Sequence, residues 1–304
     1  MQTSQNQQLS KKQQVLERLF LQCEQKVLQC EQEGSYEFSN SDVKQVANAV
    51  DFKNPFDATK VDSREILPQS IRQKGYCIAH IGRGRHRFIP ELQNWYHDFE
   101  TILPEEVIEW RYRKSLLNDI DRGEASALSF AFNQHILHDF IYEDVVASPK
   151  IYVPGRSRTT IEYTVGNTHI KAEDQQLEMD LVLEYQGTVT VIEAKNKAFS
   201  SFKNFAVYQL FYPIKYYLNR AKDKKISIPH INACYVLRQA SSRASCDDSE
   251  PLAHGADTRR VPPHQAHGEP RGSHASARVV ERIVGRGLWY NSRDAHLPLC
   301  GADS

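Results

Sequence analysis

The sequence predicts a mixed α/β (α+β) fold: an αβββαβ core with a mixed sheet, preceded by a small helical module that ends in a β-hairpin. Three observations carry that expectation. Residues 124–239 read in the order helix, three strands, helix, strand. Residues 36–92 read as two helices followed by a hairpin. Two alternating apolar runs, 176–185 and 188–195, are separated only by Gln186 and Gly187, the pattern of a tight hairpin.

The elements follow in chain order. Residues 9–33 form an amphipathic helix, with Val15, Leu16, Leu19, Phe20, Cys23, Val27 and Cys30 near one face. Its expected role is packing, on the body or on a second subunit. Ser39, Asn40, Ser41 and Asp42 are an N-cap cluster for a helix over 43–50. Asn54-Pro55 marks a turn, and a short helical stretch over 62–73 is interrupted by Pro68 and ended by Lys74-Gly75. Residues 76–81 and 85–89 are strands around the turn Gly82-Arg83-Gly84. Residues 93–123 are a helical connector, with a helix start at Pro104-Glu105-Glu106 and a basic group at Arg111, Arg113 and Lys114. Then come a helix over 125–140, a hairpin of 159–165 and 168–172 around Gly166-Asn167, and the two site strands. A helix from a Ser200-Ser201 cap to about 221, bent at Pro213, precedes a buried-type strand over 231–237.

The domain organisation expected is therefore an N-terminal helix (1–35), the hairpin module (36–92), the connector (93–123), the core (124–239) and a tail (240–304). The tail is compositionally foreign. Residues 1–239 contain 17 lysines and 13 phenylalanines, and residues 240–304 contain neither. About four or five lysines would be expected there at the earlier frequency. A disordered natural tail and a shift of reading frame both account for this, and the frame shift is favoured. Such a tail stands where an outer strand of the sheet is expected. Its five histidines lie beside Pro and Gly at irregular spacing, so composition explains them better than metal binding.

Charge is balanced, with 38 basic and 38 acidic residues among 304. A neutral chain neither announces nor excludes nucleic acid, because a contact face can be locally basic. No apolar run approaches a membrane span, and the first residues do not read as a signal peptide. Six cysteines, at 23, 30, 77, 234, 246 and 300, show no CxxC spacing. They argue against structural zinc and fit a reduced, cytoplasmic protein.

The site strands carry the chemistry. If Tyr185 pairs with Thr188 across the two-residue loop, Asp180 faces Glu193 and Glu178 faces Lys195. Strand alternation puts all four on one face, with Met179, Leu181, Leu183, Ile192 and Ala194 on the other. Two opposed carboxylates repel at Cβ separations of about 5 Å unless a cation sits between them. Hard divalent ions prefer such oxygen ligands. The bland alternative is a solvent-facing hairpin with a Glu178–Lys195 ion pair.

Asp180 followed by Glu193-Ala194-Lys195 resembles the motif of the PD-(D/E)xK nuclease superfamily, with Met179 where that motif has Pro. The resemblance spans residues 124–239 and implies a restriction-endonuclease-like core. It implies Mg²⁺ held by Asp180, Glu193 and the Ala194 carbonyl, with Lys195 supporting the attacking water. Lys195, beside carboxylates, is expected to stay charged. Glu178 would bind a second ion or neutralise Lys195, the latter being favoured. Glu124 and Gln209 are weaker supporting candidates, and Tyr212 is read as core. Residues 38–90 resemble a winged helix-turn-helix, whose hairpin tip (Arg83, Arg85, His86, Arg87) would track DNA phosphates or else be a solvated basic hairpin. Together these resemble a type II restriction endonuclease. That resemblance implies cleavage of double-stranded DNA, a homodimer and a partner DNA methyltransferase. A repair or recombination nuclease, a non-catalytic winged-helix regulator and a frame-shifted pseudoenzyme are the alternatives.

Overall fold

The computed structural model describes residues 8–30, 36–99, 116–117, 123–153, 155–196, 203–238 and 288–290. Helix α1 (Lys11–Cys30) buries Val15, Leu16, Leu19, Phe20 and Cys23, spaced three or four apart as an amphipathic stripe requires. Phe20 meets the ring of Phe88 edge-on at 5.0 Å. The helix and residues 36–89 therefore pack as one first unit, and the helix is not a separate N-terminal element.

Strand β1 (Glu37–Ser39) runs straight into α2 (Asn40–Ala49). Ser39 closes a capping box: its Oγ accepts from the Asp42 N–H, and the Asp42 carboxylate accepts from the Ser39 N–H at 2.7 Å. Helix α3 (Pro55–Ala58), a 3-10 turn (Arg64–Ile66) and α4 (Gln69–Gln73) follow, with Pro68 at the α4 N-cap. The hairpin is β2 (Cys77–Gly82) and β3 (Arg85–Ile89).

This hairpin is not an outlying wing. The first sheet has the order β1-β3-β2-β7-β6, so β2 is flanked on its far side by β7 (Thr168–Met179), whose own partner is β6 (Gly155–Val165). Gly82 pairs with Glu173 in parallel. The contact needs glycine: φ is +81°, and a Cβ there would stand 1.7 Å from the Glu173 carbonyl oxygen.

Helix α5 (Leu92–Trp95) and β4 (Tyr96–Asp98) lead into the connector. Pro104 and the Arg111, Arg113, Lys114 group lie outside the described residues. The single helix expected over 125–140 is two, α6 (Glu124–Asn133) and α7 (Ile136–Tyr142). They break at His135, which adopts φ +61° while its Nδ1 donates to the Val145 carbonyl at 2.7 Å.

The second sheet has the order β12-β11-β9-β8-β5, built from β5 (Lys150–Tyr152), β8 (Leu181–Tyr185), β9 (Thr188–Asn196), β11 (His230–Arg238) and β12 (Leu288–Tyr290). The β8–β9 register runs from Tyr185↔Thr188 to Leu181↔Ile192, as the two-residue loop predicts. Gln186 and Gly187 both take positive φ, 48° and 80°, the requirement of a type I′ turn. Strands β9 and β11 are parallel, and α8 (Tyr208–Lys224) is the crossover between them, carrying Pro213 inside it. Alternation sorts the two faces. Leu181, Leu183, Ile192, Ala194, Cys234 and Val236 pack under α6 and α7. Val182, Val191, Ile231, Ala233 and Leu237 join the larger core that includes α8.

Three expectations change. The run 176–185 is not one strand: β7 ends at Met179, β8 begins at Leu181, and Asp180 is the step between two sheets. The cause is competition for partners, since β7 is committed to the β6 ladder, where Met179 lies opposite Gly155 and Glu178 opposite Arg156. Met179 consequently lies in the larger core rather than with Leu181. Second, Asn204–Ala206 is a strand, β10, paired with β4, and α8 starts only at Tyr208. Ser200 and Ser201 lie outside the described residues. Third, Leu288–Tyr290 of the tail lines the outer edge of β11, where the frame-shifted reading left a strand missing. None of the described helices is long and apolar enough to cross a membrane.

Candidate functional site

Asp180, Glu193 and Lys195 meet on the face of the second sheet that α8 covers. The step between sheets turns the Asp180 carboxylate along β9, where Oδ2 accepts from the Ala194 N–H at 2.9 Å. Glu193 and Lys195 are two apart on β9 and so share this face. Both are buried, each 8% exposed. Lys195 Nζ donates to Glu193 Oε1 at 2.6 Å and to the Ala194 carbonyl at 3.1 Å. Glu124, the first residue of α6, brings Oε2 to 3.6 Å from the same ammonium. From α8, Gln209 Nε2 donates to Glu193 Oε1 at 3.1 Å, and Gln209 Oε1 accepts from the Tyr235 hydroxyl at 3.4 Å. The five residues Asp180, Glu193, Lys195, Glu124 and Gln209 thus converge as the sequence reading groups them.

The partner expected for Glu178 is wrong. Its carboxylate is paired with Arg156 at 2.7 Å across the β6–β7 ladder, and Glu193 and Glu124 neutralise Lys195 instead. Glu178 still lines the cavity. Tyr212 is core, as expected, buried with its hydroxyl 2.6 Å from that of Tyr163, though one side of it reaches the cavity wall.

The hairpin reading changes more. His86 is buried, and its Nε2 donates to Asn40 Oδ1 at 2.9 Å. That leaves its Nδ1 to accept from His80 Nδ1 at 2.9 Å. Arg83 stands 3.5 Å from Glu173, and Arg85 3.7 Å from Glu37. Arg87 Nε donates to Glu37 at 3.0 Å. A β-hairpin enclosed by β1 and β7 has carboxylates on both sides, so this is not a free basic wing.

Sequence reading missed the part of the lining that the first unit supplies. A cavity of about 490 Å³ lies over the carboxylates, and Asp57, Lys60, Asp62 and His80 of the first unit close it. Asp62 Oδ1 accepts from Gln209 Nε2 at 3.4 Å, so one amide group bridges Asp62 and Glu193. The loop carrying Asp62 is fixed to the segment before α8. The Asp62 carbonyl accepts from the Ala206 N–H at 2.9 Å, and the Arg64 N–H donates to Asn204 Oδ1 at 2.7 Å. Asn204, itself buried, donates in turn to Glu65 at 2.9 Å. No local spacing signals Asp62; only the buried polar Asn204 hints that a distant loop docks there.

Burial pushes the Glu193 carboxyl up to about 8, with Asp180 and Asp62 adding to the rise and Lys195 opposing it. Burial works against the Lys195 charge, but Glu193, Glu124 and Asp62 outweigh it, so the ammonium is held protonated. The donor chemistry fits a hard divalent cation. The ammonium already places positive charge against Glu193 Oε1 and the Ala194 carbonyl, two of the ligand atoms expected from the sequence. Among the described residues no three His, Cys, Asp or Glu side chains stand at metal-ligand spacing. Asp180, Glu193 and the Ala194 carbonyl are the oxygen donors that a Mg²⁺ site would need, with waters completing its shell.

Residues 92–236 match the family model described as "Domain of unknown function (DUF6997)", and residues 13–88 match "Domain of unknown function (DUF6996)". No curated protein matches the chain, and no solved structure does. The cavity lies where the two matched segments meet, with Asp57, Lys60, Asp62 and His80 from one and the remaining lining residues from the other.

Proposed function

We propose that the protein is a Mg²⁺-dependent endonuclease that hydrolyses phosphodiester bonds in double-stranded DNA, of the type II restriction kind. The observation that carries this reading is the convergence of Asp180, Glu193 and Lys195 on one cavity wall, with Gln209 and Glu124 bonded to them. Topology supports it too. Helices on both faces of a sheet, an antiparallel β8–β9 hairpin and a parallel β9–β11 crossover are what a restriction-endonuclease-like core requires. The first unit, helix-strand-helices-hairpin with β3 between β1 and β2, is compatible with a winged helix.

Asp180, Glu193 and the Ala194 carbonyl would hold the ion. Bound Mg²⁺ supplies water of lowered pKa and neutralises phosphate charge. The chain's own residues do the rest. Lys195, held protonated, fixes positive charge where a phosphate oxygen or the attacking water stands. Glu124 keeps that ammonium at the sheet. Gln209 fixes the Glu193 carboxylate and, through the same amide, the Asp62 loop. Removing one preorganised electrostatic partner of this type costs about 10²–10³ in rate.

The test is plasmid cleavage with Mg²⁺, with EDTA, and by Lys195→Ala. Discrete fragments that need both Mg²⁺ and Lys195 are expected. A folded wild-type protein that cuts no DNA with Mg²⁺ overturns the reading. A homodimer and a partner methyltransferase go with the restriction reading. The ion-paired hairpin favours keeping one alternative, a repair or recombination nuclease with the same catalytic residues, since an expected DNA-reading element is neutralised. Branched and nicked duplexes in the same assay separate the two.

A further inference from the structure

The cavity is rich in carboxylates, and its cations are few. Lys195 is spent on Glu193 and Glu124. His80 faces the cavity, but burial, opposed in part by Asp62 and reinforced by Lys60, pushes its pKa down to about 4, so it is neutral near pH 7. Lys60 is different. It is exposed, it lines the cavity, and among the described residues its ammonium enters no ion pair. The reason is local. Asp57, three residues before it, is bridged by Lys12 at 3.2 Å, and Asp62, two residues after it, accepts from Gln209 Nε2 at 3.4 Å. Lys12 Nζ also donates to the Lys60 carbonyl at 2.7 Å, and the Lys60 N–H donates to the Asp57 carbonyl at 3.1 Å. The backbone of Lys60 is thus fixed at both ends while its side chain stays uncommitted. A polyanion entering beside Asp62 and Asp180 is repelled by them unless cations offset the charge.

We propose that Lys60 is the phosphate contact of the substrate cleft, supplied by the first unit to the cavity that Lys195 also lines. This rests on the nuclease reading. The active centre is then composite: one unit provides the reacting groups and the other grips the strand. A lysine that meets one phosphate adds affinity without sequence preference and contributes about one unit to the salt dependence of binding.

The experiment is fluorescence-anisotropy binding of labelled duplex DNA to the full chain, with Ca²⁺ in place of Mg²⁺, over a series of salt concentrations. Lys60→Gln should weaken binding about three- to tenfold and lower the slope of log K against log salt by about one. Lys60→Arg should restore both. Lys53→Gln, an exposed lysine outside the cavity, removes the same charge and should change neither. An unchanged slope in Lys60→Gln, or an equal effect from Lys53→Gln, overturns the assignment while leaving the nuclease reading intact. A wild-type protein that cleaves no DNA and binds none sinks the nuclease reading itself.

Discussion

Replacing Gly82 by alanine tests whether the two units form one body. The substitution meets two costs. Gly82 sits at φ +81°, and an L-residue in the left-handed region costs about 1–2 kcal/mol. The new Cβ would also stand 1.7 Å from the Glu173 carbonyl oxygen and 2.6 Å from its carbon, both backbone atoms that cannot swing aside. Ordinary contact requires strand β2 to withdraw from β7. Gly82↔Glu173 is the pairing that joins these strands, so withdrawal forfeits a hydrogen bond worth about 1 kcal/mol, along with nearby packing. The total is about 3 kcal/mol, a large share of the 5–15 kcal/mol typical of a folded domain. Urea unfolding followed by Trp95, which is buried beside Tyr208, reads it out. With a slope of about 1–3 kcal/mol per molar urea, the midpoint should fall by about 1–3 M. A loss under about 1 kcal/mol would mean that the strands separate freely and that the close approach does not hold the units together.

Other outcomes follow from the site. Divalent-cation binding measured by calorimetry should strengthen as pH rises and level off above about 8, because the burial-raised Glu193 carboxyl must lose its proton to become a ligand; affinity independent of pH from 6 to 9 contradicts this. Gln209→Ala should lower stability by about 1–2 kcal/mol and cleavage by about tenfold, since it unfastens Glu193 and Asp62 together; unchanged cleavage would show that neither carboxylate depends on the amide. Burial also depresses His80 to about 4 and His86 to about 3. Unfolded imidazoles take up protons near pH 6.5 and the folded ones do not, so stability should fall as pH drops below 6.5 toward 4, by up to about 1.4 kcal/mol per pH unit for each histidine. Denaturation midpoints across that window should show the slope, and a His80→Gln, His86→Gln variant should flatten it.

What the sequence disclosed is what short-range geometry decides. The Gln186-Gly187 loop sets the β8–β9 register by counting, and that register holds as far as Leu181. The Ser39 cap and the β2–β3 hairpin are local in the same sense. Counting fails at Asp180 because apolar alternation runs on through it, and only the distant β6 ladder claims the residues before it. Glu178 therefore reads as a partner of Lys195 in the sequence, although it pairs with Arg156. Lys60, Asp62 and His80 were invisible for another: no periodicity relates them to Glu193, and their placement depends on Asn204 and Ala206 holding a loop from the other unit. The arginine tip misled because sequence shows the charges but not the carboxylates of Glu37 and Glu173 that fold against them.

Strand β7 has a practical consequence. Its 12 residues serve the first sheet, and its last step delivers Asp180 to the second. The two matched segments, 13–88 and 92–236, invite cutting the chain between them. Glu91 already spans that cut, accepting from the Asn167 N–H and the Thr168 hydroxyl, each at 3.0 Å. A fragment starting at residue 92 would bare the β7 backbone that faces β2, and an uncovered strand edge recruits other strands. Such a fragment is prone to self-association, so recombinant work on residues 92–236 should retain the first unit as its shield.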